Sequence, residues 1–258
     1  METALITGAS SGIGLDLAEL FATDQHNLVL VARNEKILSR LADELGKAYR
    51  ISVKVLIKDL ALASAPNEVF AELQRESIHV DILVNNAGFG THGFFAETDL
   101  ATELQEMQLN MVTLTHLTKL FLREMLKKGK GKILNVASTA GFQPGPLMAV
   151  YYASKAFVIS FSEALANELN GTGVTVTCLC PGPTRTDFQK RAYMQKSRVA
   201  GGRLMNSQTV ARIGYEGLMK GKTMVIPRWD NKILAQSVRF GPRKLVTSIT
   251  RMLNSSKT

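Results

Sequence analysis

Thr3-Ala4-Leu5-Ile6-Thr7-Gly8-Ala9-Ser10-Ser11-Gly12-Ile13-Gly14 opens the chain with an apolar run and then three closely spaced glycines. A helical pattern follows in Leu15, Leu17, Ala18, Leu20 and Phe21. Glycines at a strand-to-helix joint let the backbone turn sharply and approach a pyrophosphate, and the helix N-terminus adds free N–H groups and a positive dipole end. The stretch therefore reads as a buried strand, a dinucleotide-type loop and a helix. The spacing Gly8-x-x-x-Gly12-x-Gly14 differs from Gly-x-Gly-x-x-Gly.

The same alternation continues outward from this stretch. Apolar strand-like runs recur at 28–31, 51–57, 82–84, 132–136, 174–179 and 223–226. Between them lie helical patterns at 35–48, 66–76, 99–127 and 148–170, and one capped by Asn206 or Ser207 that runs to Met219. Continuous apolar strands alternating with helices specify a parallel sheet covered on both faces. The expectation is a single-domain α/β fold, a Rossmann-type doubly wound sheet of seven parallel strands. The catalytic domain would span 1–230, with 183–206 as a mobile or lid segment, and 231–258 would form a basic amphipathic tail.

Composition narrows the function. The chain has 258 residues, 45% hydrophobic and 21% charged, which are ordinary globular values. There is no apolar run of about 18 residues, and the N-terminus starts directly in a strand, so a cytoplasmic protein is expected. Net charge is +9, but the segment from Arg228 onward holds seven Lys/Arg against one Asp. The rest is close to neutral, which argues against a nucleic-acid-binding face. Cys178 and Cys180 share one strand face and read as small core residues. The four histidines lack ligand spacing, so no metal site is expected.

Two features carry chemistry. About 20 positions past the glycine loop, a carboxylate would bind both ribose hydroxyls of NAD. This chain reads Val31-Ala32-Arg33-Asn34 there. Arg33 can pair with a 2′-phosphate, so NADP(H) is expected. The second feature is Tyr151-Tyr152-Ala153-Ser154-Lys155, at the start of a helix. Tyr151 and Lys155 stand one turn apart on one face. An ammonium beside a phenol favours the phenolate and lowers a pKa that is otherwise about 10, making a general acid/base. Tyr152 has Ala156 at that position instead.

Together with Asn85-Asn86-Ala87-Gly88, Ser138 and Pro181-Gly182, these motifs resemble the short-chain dehydrogenase/reductase family over residues 3–227. The runs around Ser138 and Pro181 are similar to the branch of bacterial carbonyl reductases and of ketoacyl and hydroxysteroid reductases. The resemblance implies that Tyr151 protonates a carbonyl oxygen, Lys155 lowers its pKa and binds the nicotinamide ribose, and Ser138 holds the substrate oxygen. Asn110 would hold a water in the proton relay. Gly8, Ser10, Ser11, Gly12, Ile13 and Gly14 would line the cofactor loop, Asp59 and Leu60 the adenine, and Asn86, Ala87 and Gly88 the adenine ribose. Pro181, Gly182, Thr184 and Thr186 would embrace the nicotinamide amide and phosphates.

The activity implied is NADPH-dependent reduction of a hydrophobic carbonyl compound, or the reverse oxidation. Phe89, Phe94, Phe95, Phe142, Pro144, Met148 and 187–206 are the candidate pocket. The alternative is a catalytically silent NADP-binding regulator on the same fold. Family counterparts of the helices at 99–127 and 148–170 commonly build subunit interfaces, which implies a homodimer or homotetramer. In the tail, Gly241-Pro242 splits an apolar and basic run into two short helices that fold back over the subunit or its neighbour, shape the substrate entrance or touch a membrane surface.

Overall fold

In a computed structural model of the chain, residues 1–188, 192, 198 and 204–255 are described. The expected lid therefore lies in large part outside the described residues, as does Lys257 of the tail. Seven strands form one parallel sheet in the order β3-β2-β1-β4-β5-β6-β9: β1 Thr3–Thr7, β2 Asn27–Ala32, β3 Val53–Ile57, β4 Ile82–Asn85, β5 Gly131–Val136, β6 Val174–Leu179 and β9 Met224–Val225. Leu5 pairs with Val29 on one side and Leu83 on the other, and Ile133 with Val176. Two residue pairs, β7 Thr184–Arg185 and β8 Met205–Asn206, make a small separate parallel ladder at the two ends of the 186–204 segment.

The period-2 geometry of a strand sends successive side chains to opposite faces. Leu28 and Leu30 point to one layer, and Val29 and Val31 to the other. The first layer holds α1 Gly12–Thr23, α2 Glu35–Tyr49 and α7 Ser207–Met219, through Leu17, Phe21, Leu38, Leu41, Val210 and Leu218. The second holds α3 Ala65–Arg75, α5 Leu114–Lys128 and α6 Ala149–Glu168, through Val69, Leu73, Leu117, Phe121, Met125 and Leu165. Each such buried side chain contributes roughly 1.5–3 kcal/mol of transfer free energy.

The expected 99–127 helix differs from the structure. It is α4 Leu100–Met107, then a wide π-helical turn over Gln108–Thr113, then α5. Such turns cluster at functional sites, and this one contains Asn110. Its outer residues Leu100, Leu104, Met107 and Val112 are exposed, as is Phe157 of α6. The tail forms α8 Trp229–Ser237 and α9 Arg243–Asn254, split at Gly241-Pro242. The two cysteine sulfurs lie 3.6 Å apart in the core, both unoxidised.

Candidate active site

The strand order reverses between β1 and β4, so a crevice opens at the carboxyl edge, where doubly wound folds bind ligands. Each candidate residue sits on that edge or on a helix starting above it. Thr7 ends β1 and organises the floor: its hydroxyl donates to Val84 O at 3.1 Å and accepts from the N–H groups of Asn86 at 2.9 Å and Ala87 at 3.0 Å. Sequence reasoning gave Thr7 no role.

Gly8 and Gly12 adopt φ of +67° and +55°, the left-handed region that glycine tolerates. A Cβ on Gly14 would meet Asn86 Nδ2 and Gly8 O, each at 2.4 Å. Asn86 Nδ2 donates to Thr7 O at 2.9 Å and Gly8 O at 3.3 Å. Its side chain is thus a staple under the glycine loop. Ser10, Ser11 and Ile13 are partly buried in the same turn. A Cβ on Gly12 would lie 2.9 Å from Thr186 Cγ2, so the 181–186 segment closes over the loop. There Thr184 Oγ1 donates to Gly182 O at 2.8 Å, and Thr139 N donates to Pro181 O at 2.9 Å.

At the far end of the crevice, Arg33 Nη1 lies 3.7 Å from Asp59 Oδ2, with both side chains well exposed. Asp59 also accepts from Ala61 N at 3.0 Å, and Leu60 O accepts from Thr113 Oγ1 at 2.7 Å. The residues fit a dinucleotide: the positive-φ glycines bring the backbone close at the start of α1, where helix N–H groups face outward, and an exposed guanidinium, paired with Asp59 at 3.7 Å, stands at the end of β2.

Tyr151 and Lys155 occupy the first two turns of α6. The ammonium lies 5.8 Å from the Tyr151 ring centroid and donates to Val136 O at 2.9 Å. Burial pulls Lys155 down to about 8, against the pull of Glu106, whose charge raises it. Burial also pushes the Tyr151 phenol up, and the Ser138 hydroxyl opposes that rise. Desolvation is thus the largest influence on the phenol in this site. Ser138 caps a 3₁₀ turn over Thr139–Phe142, its Oγ accepting from Ala140 N at 3.1 Å.

Asn110 is almost wholly buried, and its amide is committed. Oδ1 accepts from Phe89 N at 3.2 Å, while Nδ2 donates to Phe89 O at 2.9 Å and Ser154 Oγ at 3.1 Å. Ser154 in turn donates to Tyr151 O at 2.8 Å. A Cβ on Gly88 would lie 2.9 Å from Asn110 Oδ1 and 3.5 Å from Lys155 Nζ, so only glycine fits there. Asn110 thereby ties the 88–90 loop to the first turns of α6, through Phe89 and Ser154. This combination of glycine loop, helix asparagine and Tyr-x-x-x-Lys on one sheet edge decides the family.

This chain belongs to the short-chain dehydrogenase family. The family profile described as short chain dehydrogenase matches residues 2–197. The ketoacyl reductase HetN of Nostoc sp. is 34% identical over 226 residues, covering 87% of this chain and 78% of that protein. Among solved structures, a short-chain dehydrogenase from Sphingobium yanoikuyae in complex with NADPH is 31% identical with a TM-score of 0.83, covering 95% of each chain. A bulky-bulky ketone specific alcohol dehydrogenase from Comamonas testosteroni is also 31% identical, with a TM-score of 0.78 over 95% of this chain and 96% of that one. The chain is accordingly an oxidoreductase of the short-chain dehydrogenase type.

Of the candidate pocket residues, Met148 is buried with Tyr152 and Ala140, and Phe188 packs on Tyr151 with ring centroids 5.1 Å apart. Phe142 and Phe89 are partly buried, whereas Phe94 and Phe95 are exposed. Besides Thr7, two residues near the site escaped the sequence reading. Glu106, one helical turn before Asn110, is fully buried, with Thr91 the neighbouring group that faces its carboxyl. Asn254, in the tail, is also fully buried and accepts from Tyr152.

Proposed function

We propose that this chain is an NADP(H)-dependent carbonyl reductase for a hydrophobic ketone or aldehyde, also running the reverse oxidation, with Tyr151 as general acid/base. The observation that carries the reading is the Tyr151 phenol set against the Ser138 hydroxyl, with the Lys155 ammonium 5.8 Å from its ring centroid. NADPH, when bound, supplies the hydride to the carbonyl carbon. Gly8, Gly12, Gly14, Arg33, Asp59, Gly88 and the 181–186 segment are the residues that would hold it. That the NADPH complex is a structural relative supports this assignment.

The chain's own residues then have three tasks. Ser138 Oγ and the Tyr151 hydroxyl donate to the substrate oxygen, fixing the carbonyl and favouring the charge that develops on it. Tyr151 gives up its proton to that oxygen, and the Lys155 ammonium stabilises the phenolate left behind. Phe188, Met148 and Tyr152 exclude water around the phenol. The apolar walls and the ketone-directed structural relative support a hydrophobic substrate. The exposed residues Leu100, Leu104, Met107, Val112 and Phe157 support a homo-oligomer assembled through α4, the π-helical turn and α6.

The test is NADPH oxidation across a panel of aryl and long-chain ketones and aldehydes, with cofactor affinity measured separately. Turnover with NADPH that vanishes in Tyr151→Phe while cofactor binding persists is the expected result. Cofactor binding with no turnover on any carbonyl compound would point instead to a silent NADP-binding regulator.

A further inference from the structure

The parallel sheet is complete without the tail, so α8 and α9 need another explanation. From 231 to 258 the chain carries Lys232, Arg239, Arg243, Lys244, Arg251 and Lys257, and neither Asp nor Glu. α9 is fastened to the body by its polar residues. Asn254 Oδ1 accepts from the Tyr152 hydroxyl at 3.1 Å, its Nδ2 donates to Pro146 O at 2.9 Å, and its carbonyl meets His92 Nε2 at 2.8 Å. Thr250, one turn earlier, is buried as well.

Apart from Val246, which is partly buried, the apolar residues of α9 point elsewhere. Leu245, Ile249, Met252 and Leu253 are 40–55% exposed. A helix on a water-soluble protein turns its apolar stripe to the core. Here Thr250 and Asn254 take that place and the stripe is left outside. Phe240 at the bend is 88% exposed, and Trp229 at the start of α8 is 74% exposed. The Arg251 guanidinium sits 5.9 Å from the ring centroid of Phe94, itself exposed, so apolar surface continues from α9 to the loop beside the crevice.

We propose that the α8–α9 surface docks on an anionic lipid bilayer and holds the mouth of the crevice against it. Charge decides between lipid and a second copy as the occupant. A two-fold pairing of this face would set Arg243, Lys244 and Arg251 near their own copies, and the one carboxylate on α8–α9, Asp230, is already paired with Arg228. Anionic headgroups match those cations, while an interfacial helix buries its apolar face at the acyl boundary and aromatic rings settle at headgroup level. No helix among the described residues is long and apolar enough to cross a membrane, so the contact is peripheral. Asn254 couples it to Tyr152, the neighbour of Tyr151, which places the entrance for a hydrophobic substrate at the lipid surface.

Co-sedimentation of the full chain with vesicles tests the proposal without turnover, so its outcome is independent of the catalytic reading. The chain should bind phosphatidylcholine vesicles containing phosphatidylglycerol, bind pure phosphatidylcholine weakly, and lose affinity as salt rises. Ile249→Glu/Met252→Glu, on the exposed stripe, should cut binding by about tenfold or more, as should Arg243→Glu/Lys244→Glu. Thermal melting should show both variants folded like the parent chain. No binding to the phosphatidylglycerol vesicles would overturn the proposal, and so would undiminished binding by Ile249→Glu/Met252→Glu. A fall in solution mass for that variant in the absence of lipid would assign the face to a second copy of the chain instead.

Discussion

Tyr152 donates its hydroxyl to Asn254 Oδ1 across 102 positions of sequence, while its neighbour Tyr151 turns toward Ser138 and Lys155. Two adjacent tyrosines thus have opposite duties. Tyr152→Phe leaves a buried acceptor on Asn254 unpaired, so it should cost about 1–3 kcal/mol of stability and loosen the tail. Tyr151→Phe removes the proposed proton donor and should cut turnover by about 10² to 10⁴ with little change in melting temperature. Thermal melts and single-turnover rates on the two variants separate these effects. A large loss of rate in Tyr152→Phe alone would exchange the roles.

Arg33 and Asp59 meet at 3.7 Å at the ends of β2 and β3, both exposed. Exposed ion pairs are worth little, so Asp59 restrains the guanidinium without consuming it. A charge-assisted bond to a 2′-phosphate is worth about 1.5–3 kcal/mol. Arg33→Ala should therefore weaken NADPH binding about tenfold to a hundredfold and leave NADH nearly unchanged. Titrating both cofactors by fluorescence checks this, and equal losses for the two would remove Arg33 from phosphate recognition.

Gly14 is held by packing, since its Cβ would fall 2.4 Å from two atoms that the loop cannot easily move. One of them, Asn86 Nδ2, is itself bonded to Thr7 O and Gly8 O. Gly14→Ala should cost about 1–3 kcal/mol as overpacking and displace the loop, with cofactor affinity falling alongside the melting temperature. Unchanged values for both in calorimetry would show that the β1–α1 joint has slack.

Leu104 and Val112 lie about half exposed on the α4–α5 side of the molecule. If that side joins copies of the chain, Leu104→Glu/Val112→Glu places like charges across a two-fold axis and should shift the mass in light scattering toward a monomer. A parent chain already monomeric at micromolar concentration would dispose of the interface.

The local parts of this architecture were legible because their signals are local. β1 and β6 occupy the residues their apolar runs marked, and the Asn206 side chain caps α7 by accepting from Gln208 N at 2.7 Å. The split of the tail at Gly241-Pro242 was visible for the same reason. Glu106 was invisible because its burial depends on α6 packing over α4, and nothing in a charged residue on an amphipathic pattern announces that. The π-helical turn at Gln108–Thr113 was hidden because its side chains still follow a helical pattern. Asn254 found Tyr152 only through the complete fold, since a contact 102 residues apart leaves no periodic trace.

Glu106 should leave its mark on stability. Burial pushes its carboxyl up from the ordinary 4.5 to about 7, against Thr91 and Lys155, which pull it down. The folded state therefore binds this proton more tightly than the unfolded chain does. Its contribution to stability is fully present below about 4.5 and is lost as pH rises through about 7. Glu106→Gln cannot titrate, so the variant should gain on the parent chain between those pH values and be the more stable of the two at pH 8. Melting curves across that range decide it, and parallel pH profiles for both proteins would contradict the assignment.

The same carboxylate should also govern the alkaline limit of activity. In the proposed mechanism Lys155 must carry charge to stabilise the Tyr151 phenolate, and burial has already pulled it down to about 8. Turnover in the direction of reduction should therefore decline as pH passes that value. The Glu106 charge opposes the fall in the Lys155 pKa, and Glu103, Thr98 and Thr91 are the other polar groups on the elements around it. Replacing Glu106 by Gln withdraws that support, so the alkaline limb of kcat/KM should move to lower pH. A residue that only filled space would lower the whole profile without displacing the limb. Rates with a single ketone measured from pH 6 to 10 distinguish the two, and a limb unmoved in Glu106→Gln would leave Lys155 without the partner that its burial demands.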